Sequence, residues 1–145
     1  MTVLRNKAPG WFWLLAGLIT LWGVIGVAAF YMDVSMSSAA VAGMSDYDRA
    51  LRASRPGWFM WVYGAAVWSG LIGGVLLLRR SVVAHFLFVL SLVLVIAMFG
   101  YVFAATDLIA VKGIVVATAF PIIIALIGMG EIWFAMRARR RAWIG

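Results

Sequence analysis

Four long apolar runs, each closed by charged or turn residues, dominate the chain. They occupy roughly residues 10–32, 57–78, 82–105 and 113–136. Each supplies the ~20 residues that a helix needs to cross a hydrocarbon core about 30 Å thick. Arg5 and Lys7 precede the first run, Arg79 and Arg80 separate the second from the third, and Asp107 and Lys112 separate the third from the fourth. The stretch "MRARRRAWIG" closes the last. The pattern predicts an all-α integral membrane four-helix bundle, a single transmembrane domain over residues 1–145, whose four spans leave both termini on one side.

Composition agrees with that architecture and narrows the chemistry. Hydrophobic residues make up 66% of the 145 positions and charged ones 12%. With a mean hydropathy of +1.08, this exceeds what a water-soluble domain can hide. The lack of cysteine excludes a disulfide, a thiolate metal site and thiol redox chemistry, and a single histidine excludes a bis-histidine haem. No cofactor or metal is expected.

Charge then predicts orientation. Arg5, Lys7, Arg79, Arg80, Arg137, Arg139, Arg140 and Arg141 share one face, against Arg49, Arg52, Arg55 and Lys112 on the other. Eight cations against four predict that the N- and C-termini lie in the cytoplasm. The opposite face also carries Asp33, Asp46, Asp48 and Asp107, so its charge balances. The net charge of +7 is therefore mostly a topology signal, and the lipid bilayer is the partner expected for the basic tail. Nucleic acid is not, because no stacking surface accompanies "RARRR". The basic start, the apolar run and "AVA" at 40–42 imitate a signal peptide, but the run is too long and the small residues lie too far beyond it.

The beginning of the first span is written twice. Shifted by 47 positions, residues 9–26 match residues 56–73 at eight of eighteen places, starting with "PGWF". Proline is tolerated in the first turn of a helix, and tryptophan favours the headgroup boundary. "PGW" thus reads as a helix start pinned to an interface, with Trp11 and Trp13 anchoring one face and Trp58 and Trp61 the other. If the likeness is a duplication, the copies are inverted in the membrane, although the third and fourth spans show no matching copy.

Residues 33–56 form the one sizeable polar connection. In "SDYDRALRASRP", Ser45 is a cap, Asp48 takes the capping-box position, and Pro56 prevents continuation. A short helix of about two turns at the membrane surface follows. Asp48 and Arg52 stand four apart, and Tyr47 and Leu51 share a face. Met32, Met36 and Met44 raise a Cu(I) reading, outweighed by gap-filling and lipid contact because no histidine or cysteine is near.

Within the spans, small residues mark close approach: Ala66, Gly70 and Gly74 on the second, Gly17 and Gly23 on the first. Pro121, on a stripe with Gly113, Ala117 and Ala125, removes a backbone donor and predicts a kink in the fourth. Two ionisable side chains lie at membrane depth, Glu131 and His85. Counted from Arg137 and Arg80, they sit about 9 Å and about 7.5 Å from the same edge, which makes them a candidate polar pair and proton relay. The alternative is that Glu131 reaches towards the basic tail or Arg79 and Arg80, with His85 satisfied at the interface.

No glutamine occurs, and the one asparagine, Asn6, lies outside the spans. Sugar sites need several fixed donors and acceptors, which these helices do not offer. There is also no nucleotide loop, zinc signature or catalytic triad, so no enzymatic activity is expected. The order "GLITLWGVIGVAAFYMDVSMS", "DRALRASRPGW", "LLLRRS", "FPIIIALIG" and "ARRRAWI" resembles a group of uncharacterised small four-span bacterial inner-membrane proteins. Some of these carry the label sugar transporter. The resemblance spans nearly the whole chain and implies the four-span fold; it carries no catalytic motif.

Two functions follow as expectations. The first is an accessory or structural subunit packing against other membrane proteins or against itself. The alternative is a small oligomeric solute or proton-linked transporter or channel subunit using His85 and Glu131. A binder of an apolar quinone or carotenoid is a third idea, raised by the eight tryptophans.

Overall fold

The computed structural model describes residues 4–145 and is helical wherever it is regular. In chain order the elements are α1 (Gly10–Val34), α2 (Ser38–Ala42), α3 (Asp46–Ala53), α4 (Gly57–Leu78), α5 (Val83–Ala105), α6 (Leu108–Lys112) and α7 (Ile114–Arg140). The helices α1, α4, α5 and α7 are long and apolar enough to cross a membrane. Their outward side chains are the ones a soluble protein would hide, as with Val115 at 74% exposure. The fold is that of a multi-pass membrane protein.

Local chemistry explains the boundaries. Pro9 and Pro56 both stand at the N-cap in extended backbone, one place earlier than a first-turn proline. The amides of Phe12 and Phe59 donate to the carbonyls of Pro9 and Pro56, each at 3.0 Å. The repeated "PGWF" is therefore one cap geometry used at opposite ends of two antiparallel helices. At α3, the Ser45 hydroxyl accepts from the Asp48 amide at 3.1 Å and donates to the Asp48 carboxylate at 2.7 Å. Helices α4 and α7 end alike: Arg80 and Ala142 adopt φ of 61° and 54°. The Ser81 and Trp143 amides then reach back to the Leu76 and Ala138 carbonyls at 2.9 Å. This is the Schellman turn that usually employs glycine.

The long helices pack as a row, α1 on α4, α4 on α5, and α5 on α7. Small residues set the spacing, and α4 presents them on two sides. A Cβ at Gly74 would lie 2.9 Å from the Thr20 backbone of α1, and one at Gly73 would lie 2.9 Å from the Phe88 ring of α5. Gly70 faces Ser91 of α5, so the Ala66, Gly70 and Gly74 stripe is shared between two neighbours. Gly23 packs as expected, its Cβ position only 2.7 Å from the Leu71 Cα. Gly17 does not: it is exposed, with open space where a Cβ would be. Six residues turn a helix by about 600°, so Gly17 and Gly23 cannot share a face. The packing stripe of α1 is Ala16, Thr20 and Gly23.

The backbones of α1 and α7 scarcely approach one another. They meet at the end that holds both termini, where Trp11 and Phe12 lie 6.0 Å and 5.7 Å from the Phe134 ring. Trp143 folds back to make edge contact with Trp11 at 5.1 Å, and Ile144 is buried. The last residues thus close the base of the bundle. Arg80 holds them there, donating to the carbonyls of Trp143 and Asn6, while the Asn6 amide donates to Ala142.

Candidate functional site: a cavity between the loop end and Glu131

Because α1 and α7 touch at the terminal end and stand apart elsewhere, a space opens between the long helices. A cavity of about 510 Å³ fills it. Trp22, Gly26 and Ala29 of α1, Tyr63, Ala66 and Gly70 of α4, Ser91, Val95 and Met98 of α5, and Phe120 and Ile124 of α7 form its walls. Leu51 of α3 and the following Ser54 and Arg55 cover its loop end. From Asp33 to Trp22 the cavity spans about 16 Å along α1 at 1.5 Å per residue. Gly26 leaves room here: its Cβ position is 3.5 Å from Val67, and no larger side chain intrudes.

Helix α3 is tied across the mouth. Arg52 and Arg55 both pair with Asp33 at the end of α1, the latter at 2.8 Å. Lys112, at the end of α6, pairs with Asp48 at 3.0 Å. The Tyr47 hydroxyl donates to Asp107 at 2.8 Å. Asp48 therefore binds Lys112 rather than Arg52, its neighbour one turn on. Its hydrogen bonds to Ser45 and Lys112 hold its pKa below the ordinary carboxylate value. Desolvation and the bond to Asp107 push the Tyr47 phenol above its ordinary value.

At the opposite end of the cavity stands Glu131. It is 8% exposed and lines the space. Among the described residues no cation lies within ion-pairing distance of it. The nearest basic residue in sequence, Arg137, instead sits over the Trp133 ring at 5.6 Å, so Glu131 does not reach towards the tail.

The structure does not join Glu131 to His85. His85 is absent from the cavity wall, and its Nδ1 is buried without a hydrogen-bond partner. Register explains the separation. Gly128 of α7 faces Leu92 of α5; counted from that contact, His85 lies about 6 Å nearer the terminal end than Glu131. The two arginines used to gauge depth do not mark one plane: α7 continues past Arg137 to Arg140, whereas Arg80 belongs to the turn before α5.

Other expected positions fall as follows. Trp11 and Trp13 stand at the terminal end and Trp58 and Trp61 at the loop end, Trp61 being 82% exposed and Trp58 in edge contact with Tyr101 at 4.9 Å. Pro121 lies inside the continuous helix α7, between cavity residues Phe120 and Ile124. The ring of aromatic walls was not foreseen; Trp22, Tyr63, Phe99, Tyr101 and Phe120 come from four helices, and no spacing in the sequence links them. No protein family matches the sequence, and no curated protein or solved structure is similar to it.

Proposed function

We propose that this chain is a non-enzymatic protein of the bacterial inner membrane, both termini cytoplasmic, that holds a small apolar molecule within its bundle as a binding or transport subunit. The cavity between the loop end and Glu131 carries this reading. A bundle whose only task is to pack has no use for a space of about 510 Å³, which falls within the range of small-molecule sites. The shortage of amide side chains favours an apolar guest over a sugar. Val95 lines the wall, and Val95→Trp narrows the cavity from there. Native mass spectrometry of protein taken from its own membrane in mild detergent is expected to show a bound small molecule that the variant lacks. The same spectrum for both proteins counts against the reading. A reporter fused after Gly145 that works only in the periplasm reverses the orientation.

A structural subunit is the second reading, supported by a different observation. Gly17, Gly100 and Gly130 have open space at their Cβ positions on outward faces of α1, α5 and α7. Exposed glycines within spans allow another helix to approach closely. A smaller assembly for Gly130→Leu, with unchanged ligand retention, supports self-association through that face.

A further inference from the structure

We infer that the cavity is a site for a lipophilic cation, with Glu131 as its counter-ion; this rests on the cavity being a ligand site. Three observations converge. The Glu131 side chain is more than nine-tenths buried and lines the floor of the cavity, without a cation from the protein within reach among the described residues. To carry its charge in such surroundings a carboxylate needs a positive partner, here one supplied from outside, because low dielectric makes an unpaired charge costly. The walls suit that partner. Trp22, Tyr63, Phe99, Tyr101 and Phe120 offer aromatic surfaces; Phe120 stands about 16 Å along α7 from Glu131, so the rings towards the loop end bury the apolar substituents of a guest whose charge sits at the floor.

The remaining charges at the cavity are already matched. At the mouth, Asp33 is shared by Arg52 and Arg55, and Arg55 also lies over the Phe59 ring at 5.1 Å. An anionic ligand would have to displace Asp33 from two guanidiniums to find a partner. A cation meets a free carboxylate and no competing positive group on the floor. The separation of α1 from α7 provides a route from the bilayer for a hydrophobic ion. The guest is thus a hydrophobic amine, quaternary ammonium or phosphonium, recognised by charge and aromatic contact.

The probes are tetraphenylphosphonium and tetraphenylborate, ions of nearly one shape and opposite charge, together with uncharged biphenyl. Each is titrated calorimetrically into the purified full chain in mild detergent, and binding to the cavity is the part lost in Val95→Trp. Tetraphenylphosphonium is expected to bind at least about tenfold more tightly than tetraphenylborate. Glu131→Gln should abolish that preference, and Glu131→Asp, which keeps the charge, should retain it. Equal binding of both ions by the wild-type protein, or a preference that survives in Glu131→Gln, overturns the inference. If biphenyl still binds in those cases, the cavity remains a ligand site for neutral guests. Failure of all three probes removes the ligand-site reading as well. The wild-type comparison of the two ions stands even if Glu131→Gln does not fold.

Discussion

The two ends of this bundle solve the same problem, how to close four helices, by opposite means. The terminal end is filled: Phe12, Leu77, Phe88, Phe134 and Ile144 form one buried cluster. Its eight cations have no acidic partner nearby among the described residues, and Arg5 and Arg80 spend their donors on backbone carbonyls. The loop end is bridged instead. Its four cations and four aspartates meet in pairs or through Tyr47, and they hold α3 over a space that apolar side chains leave open. Packing makes one end solid, whereas ion pairs make the other a cover. A cover held by polar links is the part that opens at the lower free-energy cost.

The largest difference should come from the solid end. Phe12→Ala removes a ring with no exposure and is expected to cost about 2–3 kcal/mol. That is below the range for soluble cores because lipid competes for apolar surface, leaving mainly lost packing. Val95→Ala, on the cavity wall, should cost less than about 1 kcal/mol, since it only enlarges an existing space. Equal losses of stability in mild detergent would show that the two ends are packed alike. Gly74→Leu tests the packing through the backbone, because its Cβ would meet the Thr20 backbone of α1; it should cost more stability than Gly70→Leu, whose Cβ would meet only the Ser91 side chain of α5.

Asp33→Asn attacks the cover. It leaves Arg52 and Arg55 without their carboxylate and should cost about 1–2 kcal/mol. Limited proteolysis is the sharper readout: cutting should begin within residues 43–56 while the terminal end stays intact. Protection unchanged from wild type would mean that the pairs do not hold α3.

The two left-handed turns at the terminal end offer a finer test. Ala142→Gly relieves a positive φ and should add up to about 1 kcal/mol. Arg80→Gly relieves the same conformation but removes the donors that hold Trp143 and Asn6, so it should lower stability by about 1 kcal/mol. The same sign for both would show that backbone strain outweighs the arginine's bonds.

Acid should produce the smallest effect on the cover. Asp48 has a lowered pKa in the folded chain through Ser45 and Lys112, so folding favours its ionised form. The stabilisation is complete above the carboxylate's ordinary value and is lost as pH falls through the lowered one. Proteolysis of the α3 region should therefore quicken below about pH 4, the ordinary carboxylate range. Asp48→Asn should flatten that dependence.

Much of this was legible in the chain. Span positions follow from apolar length alone, because every backbone group in a bilayer must bond within its own helix; the expected ranges differ by a few residues, mostly at the end of α7. The cap at Ser45, the helix start at "PGWF" and the stop at Pro56 are local chemistry, decided by neighbours in sequence. Glu131 was legible as well, since a carboxylate within an apolar run is conspicuous. What the sequence could not show is which residues meet. The relay with His85 assumed a register between α5 and α7, and register depends on which small residue receives which large one, here Gly128 and Leu92. The angle between Gly17 and Gly23 follows from their spacing alone and already sets them on different faces; which of the two meets a neighbour, Gly23 against Leu71, was decided by the packing. The cavity belongs wholly to the tertiary structure. It exists because aromatic rings draw α1 and α7 together at one end only, and the resulting empty space has no residue of its own to announce it.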